Sequence, residues 1–349
     1  MAEENLRFAV IGAGNIGHVH AQAIAAIPGA RLTVVGSTNP ARGQALATAN
    51  DALWIPDYLE AAVHPDADVV CICTPTGAHA EQAVAAAEAG KHLVIEKPLD
   101  VTLERVDQIL AAARAAGVKT TCIFPYRCMA GSQEAKKAVE AGRLGRLTMA
   151  DARVKWYRTQ EYYDMGGWRG TWELDGGGAL MNQSIHAIDL MQWLAGPVNS
   201  VFGRVNTLAH RMETEDTGAA VLMLDSGGMA TIQGATSCWP GLPAMVALHG
   251  DRGTIVLHEG RIVTWKLSDA APGEEEAMLN LEGSQGSGAG DPTGIGFELH
   301  RRQLADMVQA IQEDHLPMID GAEGRASIEI ILAVYESART GLEIQLVDR

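Results

Sequence analysis

The sequence predicts an α/β N-terminal domain with a doubly wound parallel sheet, followed by an α+β domain built on a large, mostly antiparallel open sheet. Up to about residue 128, short β-rich apolar runs alternate with alanine-rich helical stretches, the pattern of a parallel sheet covered on both faces. After about residue 130, alternating β-branched and aromatic segments indicate antiparallel strands. The predicted domains are residues 1–128 and 129–349, and the C-terminal helices are free to pack back on the first domain.

The first domain is predicted to contain alternating strands and helices of ordinary crossover length. The strands are expected at 6–11, 31–36, 68–73, 92–96 and 118–124, and the helices at 16–26, 41–49, 78–89 and 103–116. In open α/β sheets ligands bind outside the carboxyl ends of the strands, so the residues that follow each strand are pocket candidates.

The second domain is predicted to begin with a helix and to continue mainly in strands. The helix is expected at 133–141, and the strands at 148–157, 201–207, 218–224, 229–234, 244–249 and 254–258. Glycines and a proline bound a further helix at 179–195. The Gly-, Ser- and Glu-rich stretch 274–293 is predicted to be a loop, and helical periodicity returns at 298–312 and 322–340.

Composition excludes several classes of function. The chain has 349 residues, is 47% hydrophobic and carries a formal net charge of −16, which argues against nucleic acid or an anionic membrane as a partner. No apolar segment predicts a membrane span or a signal peptide, so a cytoplasmic protein that works on a small molecule is expected. The five cysteines form no C-x-x-C pattern, and no metal site is predicted.

The glycine motif Gly12-Ala13-Gly14-Asn15-Ile16-Gly17 lies between the first strand and the first helix, the context of a dinucleotide-binding fingerprint. Gly12 allows the tight turn, Gly14 lets the backbone approach a pyrophosphate, and Gly17 lets helix and strand pack closely. The motif therefore predicts a Rossmann domain. A glycine turn in another kind of α/β protein is the alternative.

A second motif, Glu96-Lys97-Pro98, closes a later strand. Most lysines are solvated surface groups, but Lys97 follows a buried strand and precedes a proline that restricts the backbone, so its side chain is expected to be aimed at the pocket.

The helix at 179–195 carries Asn182, His186 and Asp189 at spacings of four and three, which predicts a polar stripe on one helix face. A core histidine capped by Asp189 is the structural alternative. With Lys97, His186 can serve hydride transfer, where the proton of an alcohol leaves as its carbon loses hydride.

These three motifs, in this order along the whole chain, resemble the glucose-fructose oxidoreductase / inositol dehydrogenase / rhizopine catabolism (Gfo/Idh/MocA) family. The resemblance implies a two-domain NAD(P)-dependent oxidoreductase that transfers hydride to or from a ring hydroxyl or ketone of a sugar, sugar derivative or cyclitol. It implies that Lys97 and His186 are the catalytic pair, and that the protein is a homodimer or homotetramer joined through its C-terminal sheet.

One position departs from part of the family. Inositol dehydrogenase-like members carry an aspartate where this chain has Asn182, and an amide cannot accept a proton, so Asn182 is expected only to orient the substrate. This form resembles members that oxidise pyranosides or sugar nucleotides, including UDP-linked N-acetylglucosaminuronate dehydrogenases.

The cofactor preference is predicted from the end of the second strand. Where NAD-selecting domains place an acidic residue, this chain has Ser37 and Thr38, with Arg42 shortly after, so NADP is preferred over NAD. A solvated Arg42 is the alternative. The predicted cofactor-binding residues are Gly12, Gly14, Asn15, Ile16, Ser37, Thr38, Arg42, Thr74, Pro75, His79, Glu96 and Lys97.

Aromatic residues and arginines concentrate just before the glycine-rich turn at 176–178. Such side chains suit sugar rings and acidic groups, and Arg158 and Arg169 are the candidates for a carboxylate or phosphate. The predicted substrate-binding residues are Lys97, Tyr126, Arg127, Tyr157, Arg158, Trp168, Arg169, Asn182, His186 and Asp189.

Two other functions compete with a dehydrogenase. One is an NAD-dependent glycosidase that oxidises the ring transiently, and the other is a non-catalytic nucleotide-sensing protein, which would need neither Lys97 nor His186. The particular substrate, the reaction direction, the oligomer size and the division of proton transfer between Lys97 and His186 stay open at this point.

Overall fold

The computed structural model describes residues 5–281 and 296–346, which form two compact units. Within the described residues, the first unit comprises 5–123 and 296–325, and the second comprises 124–281 and 326–346. The predicted partition at residue 128 stays a prediction of domain organisation. Among the described residues, no helix combines the length and the apolar composition that a membrane span requires.

The first unit is built on a six-stranded parallel sheet in the order β3-β2-β1-β4-β5-β6, which confirms the predicted doubly wound domain. Its elements are β1 (Leu6–Ile11), α1 (Asn15–Ala25), β2 (Ala30–Gly36), α2 (Pro40–Ala49), β3 (Leu53–Ile55), α3 (Tyr58–Ala62), β4 (Val69–Ile72), α4 (His79–Glu88), β5 (His92–Ile95), α5 (Leu103–Ala116) and β6 (Thr120–Cys122). The sequence did not predict β3 and α3, because three and five residues are too short to show periodicity.

Strand order reverses between β1 and β4, the point where open α/β sheets bind their ligands. β4 is apolar and buried throughout, and β1 is apolar and buried from Phe8 to Ile11, after Arg7 near its start, as expected for strands covered on two faces. The glycine motif follows β1 directly and therefore lies at this switch point.

The second unit is built on an eight-stranded sheet in the order β13-β12-β11-β7-β10-β9-β8-β14. All neighbouring strands pair antiparallel except β7 and β10, which confirms the predicted mostly antiparallel sheet. Its elements begin with α6 (Ala130–Glu140), β7 (Leu147–Lys155), α7 (Gln160–Asp164), α8 (Ile185–Ala195), β8 (Val198–Asn206), β9 (Thr217–Leu224), β10 (Met229–Ala235), β11 (Met245–Gly250), β12 (Gly253–His258), β13 (Arg261–Leu267) and α9 (Glu274–Leu279).

Several features of this unit differ from the sequence prediction, which did not include strand β13 or the short helix α7. Helix α9 occupies the start of the stretch predicted to be a loop, and three glutamates in its first turn favour the positive end of the helix dipole. Residues 282–293 of that predicted loop lie outside the described residues. The predicted helix at 179–195 begins with a π-helical segment, Ala179–Ser184, before α8 starts at Ile185.

Two helices follow residue 296, α10 (Glu298–Gln312) and α11 (Gly321–Thr340), and the short strand β14 (Ile344–Gln345) closes the described chain. Within the first unit α10 packs against α1, and Leu304, Met307 and Val308 join the same apolar core as Ile24. This contact places the N-terminal turn of α10 beside the end of β5.

Candidate active site

The glycine turn has the geometry that a dinucleotide requires. Gly12 has a φ of +109°, and a Cβ there would lie 2.6 Å from the carbonyl oxygen of Cys73. Gly14 precedes α1, where a Cβ would meet nothing within 4 Å, so the backbone is open to a ligand. Among the described residues no side chain caps α1, and its first N–H groups, from Asn15 and Ile16 onward, are free for a phosphate by helix geometry.

The end of β2 carries hydroxyl groups and no carboxylate before α2 begins. The Ser37 side chain is buried and donates to the carbonyl of Asn39 at 3.2 Å. Thr38 is exposed, and its hydroxyl lies 3.3 Å from the Tyr58 hydroxyl. Arg42 is exposed in the first turn of α2, where its backbone N–H donates to the capping side chain of Asn39.

His79 connects two turns that follow neighbouring strands. Its Nε2 lies 2.9 Å from the carbonyl oxygen of Thr74, and its Nδ1 lies 3.0 Å from that of Pro98. The ring is buried, and His79 therefore links these two turns through their backbone carbonyl groups. Thr74 donates its hydroxyl to Gln82 at 2.9 Å, and Pro75 leads into the short helical turn before α4.

Glu96 is buried in a cluster with two histidines that are distant in sequence. Its Oε1 lies 2.9 Å from His20 Nε2 on α1 and 3.4 Å from His300 Nε2 on α10. Burial by itself would raise the pKa of Glu96, but the hydrogen bonds from both histidines outweigh it and hold that pKa well below its ordinary value. Burial lowers the pKa of His20. The cluster is thus a buried carboxylate anion supported by imidazole donors.

Lys97 follows Glu96 and is half-buried in the first unit. Its backbone N–H donates to Glu96 Oε2 at 3.2 Å, so the buried carboxylate holds the backbone from which the lysine side chain extends.

His186 lies on α8 in the second unit, half-buried between aromatic rings. Its ring centroid is 6.0 Å from that of Phe124 and 5.4 Å from that of Tyr126. The side chain therefore lies against the turn formed by residues 124–128.

Asp189, one turn beyond His186 on α8, pairs with Arg127. The Asp189 carboxylate accepts two hydrogen bonds from Arg127, at 2.8 Å from Nε and 2.7 Å from Nη2, and both side chains are 1% exposed. The Arg127 guanidinium also lies over the rings of Phe124 and Trp193. A paired, bidentate geometry of this kind ties α8 to the 124–128 turn that contacts His186.

Asn182 lies in the π-helical segment and has different partners. Its Nδ2 donates to a carboxylate oxygen of Asp175, and its Oδ1 accepts from Gln183 Nε2 at 2.9 Å. Gln183 also donates to the Tyr162 hydroxyl at 3.0 Å. Asn182 thus lies in a π-helical segment and Asp189 in the α-helix that follows, whereas the predicted stripe assumed one α-helical period.

Arginines flank the same tyrosine. Arg158 lies with its guanidinium carbon 5.5 Å from the centroid of Tyr162 and 4.9 Å from that of Trp156, and Arg169 lies 4.8 Å from Tyr162 and 4.7 Å from Trp168. Stacking on aromatic faces orients the planar guanidinium forks. Tyr157, also predicted at this site, packs edge-on against the ring of Trp239 at 5.1 Å.

Glu215 supports the start of the π-helical segment. Its carboxylate accepts hydrogen bonds from the backbone N–H of Gly178 at 3.1 Å and of Leu180 at 2.7 Å, and from the Tyr335 hydroxyl at 2.9 Å. Burial raises the pKa of Glu215 to about 7. Neither Glu215 nor Tyr335 was predicted as a site residue, because nothing local in the sequence marks a contact between residues 120 positions apart.

Comparison with known families agrees with this geometry. Residues 6–124 match the model described as an oxidoreductase family with an NAD-binding Rossmann fold, and residues 132–256 match the model of the GFO/IDH/MocA C-terminal domain. The chain belongs to the Gfo/Idh/MocA family. The family assignment confirms the predicted resemblance and the predicted activity class, an oxidoreductase that uses a nicotinamide cofactor.

Known members of the Gfo/Idh/MocA family align with most or all of this chain. The crystal structure of the WlbA dehydrogenase from Bordetella pertussis, in complex with NADH and UDP-GlcNAcA, is 34% identical, superposes with a TM-score of 0.89 and covers 100% of both chains. Inositol 2-dehydrogenase from Rhizobium meliloti is 30% identical over 75% of this chain and 78% of its own. The scyllo-inositol 2-dehydrogenase (NAD(+)) from Bacillus subtilis is 26% identical over 99% of this chain and 97% of its own.

Proposed function

We propose that this protein is an NAD(P)-dependent dehydrogenase or reductase of a pyranose that carries an acidic substituent, linked to a nucleotide. The observation that carries the proposal is the full-length similarity to a dehydrogenase in complex with NADH and UDP-GlcNAcA, together with intact Lys97 and His186. The inositol dehydrogenase relatives make a cyclitol the second substrate class to test.

The residues of the first unit fit a dinucleotide. The open backbone at Gly14 and the uncapped N-terminus of α1 would receive the pyrophosphate, and the hydroxyl groups after β2 would receive the adenosine ribose. When bound, the nicotinamide exchanges a hydride with the substrate carbon.

Lys97 and His186 are the proposed catalytic pair. Lys97 polarises the oxygen of the reacting carbon, and His186 takes or gives its proton. If His186 polarises the oxygen and Lys97 transfers the proton instead, substitution of either side chain should cause the same loss of activity. Arg127 and Asp189 act through their mutual pairing, by holding the helix that carries His186.

Arg158, Arg169 and Asn182 are proposed to recognise the substrate. Arg169 stacks on Tyr162, whose hydroxyl accepts from Gln183, and Gln183 in turn donates to the Asn182 amide. One substrate ring with an acidic group would therefore contact both the Arg169 guanidinium and the Asn182 amide. Tyr126, Tyr157 and Trp168 supply the neighbouring aromatic surface.

NADP is proposed to bind better than NAD. The support is the absence of a carboxylate between β2 and α2 and the exposed Arg42 in the first turn of α2. We expect Arg42→Ala to weaken NADPH binding about tenfold and NADH binding by less than twofold, measured by fluorescence titration. Equal affinities of the wild type for both cofactors, unchanged in the variant, would contradict this preference.

A homodimer or homotetramer through the C-terminal sheet is proposed as well. Apolar side chains stand exposed on one face of that sheet, where Met149, Met229 and Met223 are neighbours in register and Phe202 pairs with Val221. We expect Met223→Asp to lower the oligomer size measured by light scattering, and a monomeric wild type would refute the proposal. A cytoplasmic location stays a prediction from the sequence.

The activity test uses reduced-cofactor absorbance with NADP or NAD and a panel of sugar nucleotides, uronates, neutral pyranosides and cyclitols. We expect UDP-linked uronates to reduce the cofactor, Lys97→Met and His186→Ala to lower kcat at least about a hundredfold, and the exposed control Lys137→Met to match the wild type. If cofactor binds but no substrate class reduces it, the dehydrogenase proposal fails and the transient-oxidation glycosidase or the nucleotide sensor takes its place.

A further inference from the structure

A buried cluster of His20, Glu96 and His300 takes no direct part in the proposed hydride transfer. The three side chains come from α1, the end of β5 and α10, and all are buried. The two imidazole rings meet edge to face, with centroids 5.4 Å apart. Both rings direct Nε2 at the same carboxylate oxygen of Glu96.

The protonation of this cluster follows from its buried nitrogen atoms. Nδ1 of His20 and Nδ1 of His300 are buried, and neither has a hydrogen-bond partner within residues 5–281 and 296–346. A bare ring nitrogen is easier to leave there than an N–H group, because orphaned buried N–H groups are rare. Both rings therefore carry their proton on Nε2 and donate it to Glu96.

A metal ion fits the cluster less well. The three ligand atoms lie within 4.8 Å of one another, close enough to share a divalent cation. A metal on both Nε2 atoms would move the ring protons to Nδ1, and metal-bound histidines normally donate that N–H to a partner, which is missing here among the described residues.

Glu96 in turn holds the backbone of the proposed catalytic lysine. Its second oxygen, Oε2, accepts the Lys97 backbone N–H at 3.2 Å, while the opposite side of the turn is held by His79 at the Pro98 carbonyl. Among the described residues, the thiols of Cys71 on β4 and of Cys73 just after it also face Glu96, and their pKa values are raised by burial and by the carboxylate. They stay neutral, so His20 and His300 are the groups that support the anion.

We propose that His20 and His300 are positioning residues, which keep the Glu96 carboxylate ionised in the protein interior so that it fixes the backbone of Lys97. This inference rests on the proposed catalytic role of Lys97. Because α1 starts at the cofactor-binding turn, the same cluster joins that helix to the lysine-bearing turn. Loss of one donor lets Glu96 take up a proton, the Lys97 N–H loses its acceptor, and the turn loosens.

The test compares His300→Leu, which removes the donor, with His300→Gln, which keeps an N–H at similar reach. We expect the ratio of the His300→Leu kcat to the wild-type kcat to fall about tenfold between pH 8.5 and pH 6, because Glu96 with one donor fewer takes up a proton more readily as the pH falls. The fall is absent in His300→Gln. KM for the cofactor stays within about twofold, because the pyrophosphate turn is intact.

The same comparison is repeated in the Glu96→Gln variant, which has no carboxylate at this position. It should lower kcat at every pH, and adding His300→Leu to it should produce no further pH-dependent loss, since the carboxylate is gone. The exposed His315→Leu, on the turn after α10, is the control and should follow the wild type across the range. A loss in His300→Leu that is equal at pH 6 and pH 8.5 would show a packing role and overturn the proposal.

Failure of this inference is distinguishable from failure of the proposed function. If Lys97→Met keeps its activity, the catalytic role of Lys97 fails; if Lys97→Met is inactive while His300→Leu shows no acid loss, only the positioning role fails. A readout independent of catalysis is the melting temperature: protonation relieves a buried carboxylate that has lost a donor, so the melting-temperature deficit of His300→Leu relative to wild type should shrink as the pH falls. Stoichiometric zinc in the purified protein, with activity lost to chelation, would also overturn the proposal.

Discussion

The buried carboxyl group of Glu215 should make the free energy of unfolding depend on pH. The side chain is 2% exposed, and burial raises its pKa from the ordinary 4.5 to about 7, although the hydrogen bonds to the carboxylate oppose the rise. The folded protein thus binds more protons than the unfolded chain between pH 4.5 and pH 7. The stabilising contribution of the protonated form is complete below about pH 4.5 and is lost as the pH rises to about 7.

Glu215→Gln measures this contribution, because the amide stays neutral at every pH. Free energies of unfolding are taken from urea titrations at pH 5, 6, 7 and 8, and the difference between wild type and variant removes the other titrating groups. We expect wild-type stability to fall relative to the variant by about 2.5 kcal/mol between pH 5 and pH 8.

Tyr335→Phe serves as the companion variant. It removes a hydrogen-bond donor to the Glu215 carboxylate, so the pKa of Glu215 should rise and the loss of stability should move to higher pH. A wild-type minus Glu215→Gln difference that is constant from pH 5 to pH 8 would refute the reasoning, since Glu215 would then not titrate in the folded protein in this range.

Asp189→Ala leaves the buried Arg127 guanidinium without its carboxylate, and urea unfolding should show a loss of about 3–5 kcal/mol. A loss under 1 kcal/mol would contradict the pairing. Gly12→Ala places a Cβ against a backbone carbonyl at a φ of +109°, so we expect about 1–3 kcal/mol lower stability and weaker NADH binding by fluorescence titration; unchanged binding would count against a cofactor turn here. Asn182→Asp sets a second carboxylate against Asp175, so its melting temperature relative to wild type should rise as the pH falls from 8 to 5. A pH-independent difference would show that the two side chains do not interact.

Much of the fold was predictable because its signals are local. Strand β1 and helix α5 were predicted at their observed bounds, since β1 is an apolar run broken only by Arg7 and α5 is a helical stretch of ordinary length. In the structure, Thr102 caps the start of α5 and Gly117 ends it. The glycine turn and Lys97 were recognisable for the same reason, because each lies in a short motif next to a strand. Strand β13 was missed although it buries Trp265, since polar residues interrupt its alternation.

The supporting residues of the site were not predictable from local pattern. His20 meets Glu96 across 76 sequence positions, and only the order of strands and the packing of α10 bring these groups together. The π-helical start at Ala179–Ser184 also escaped prediction, because an α-helical period was assumed through to Asp189. A π-turn shifts the residues before it relative to the helix that follows, and such turns are frequent at functional sites.

The structure gives a physical explanation for Asn182, the position where inositol dehydrogenase-like members of the family carry an aspartate. From sequence, an amide in place of a carboxylate removes a proton acceptor beside His186. In the structure Asp175 supplies a carboxylate against that amide, but it is 1% exposed and its other oxygen accepts the Gly170 N–H at 2.8 Å. A buried carboxylate committed to two donors orients the amide rather than exchanging protons with a substrate. On the proposed assignment, proton transfer in the second unit rests on His186, and Asn182 presents an oriented amide, so His186→Ala should mainly lower kcat and Asn182→Asp should mainly raise KM.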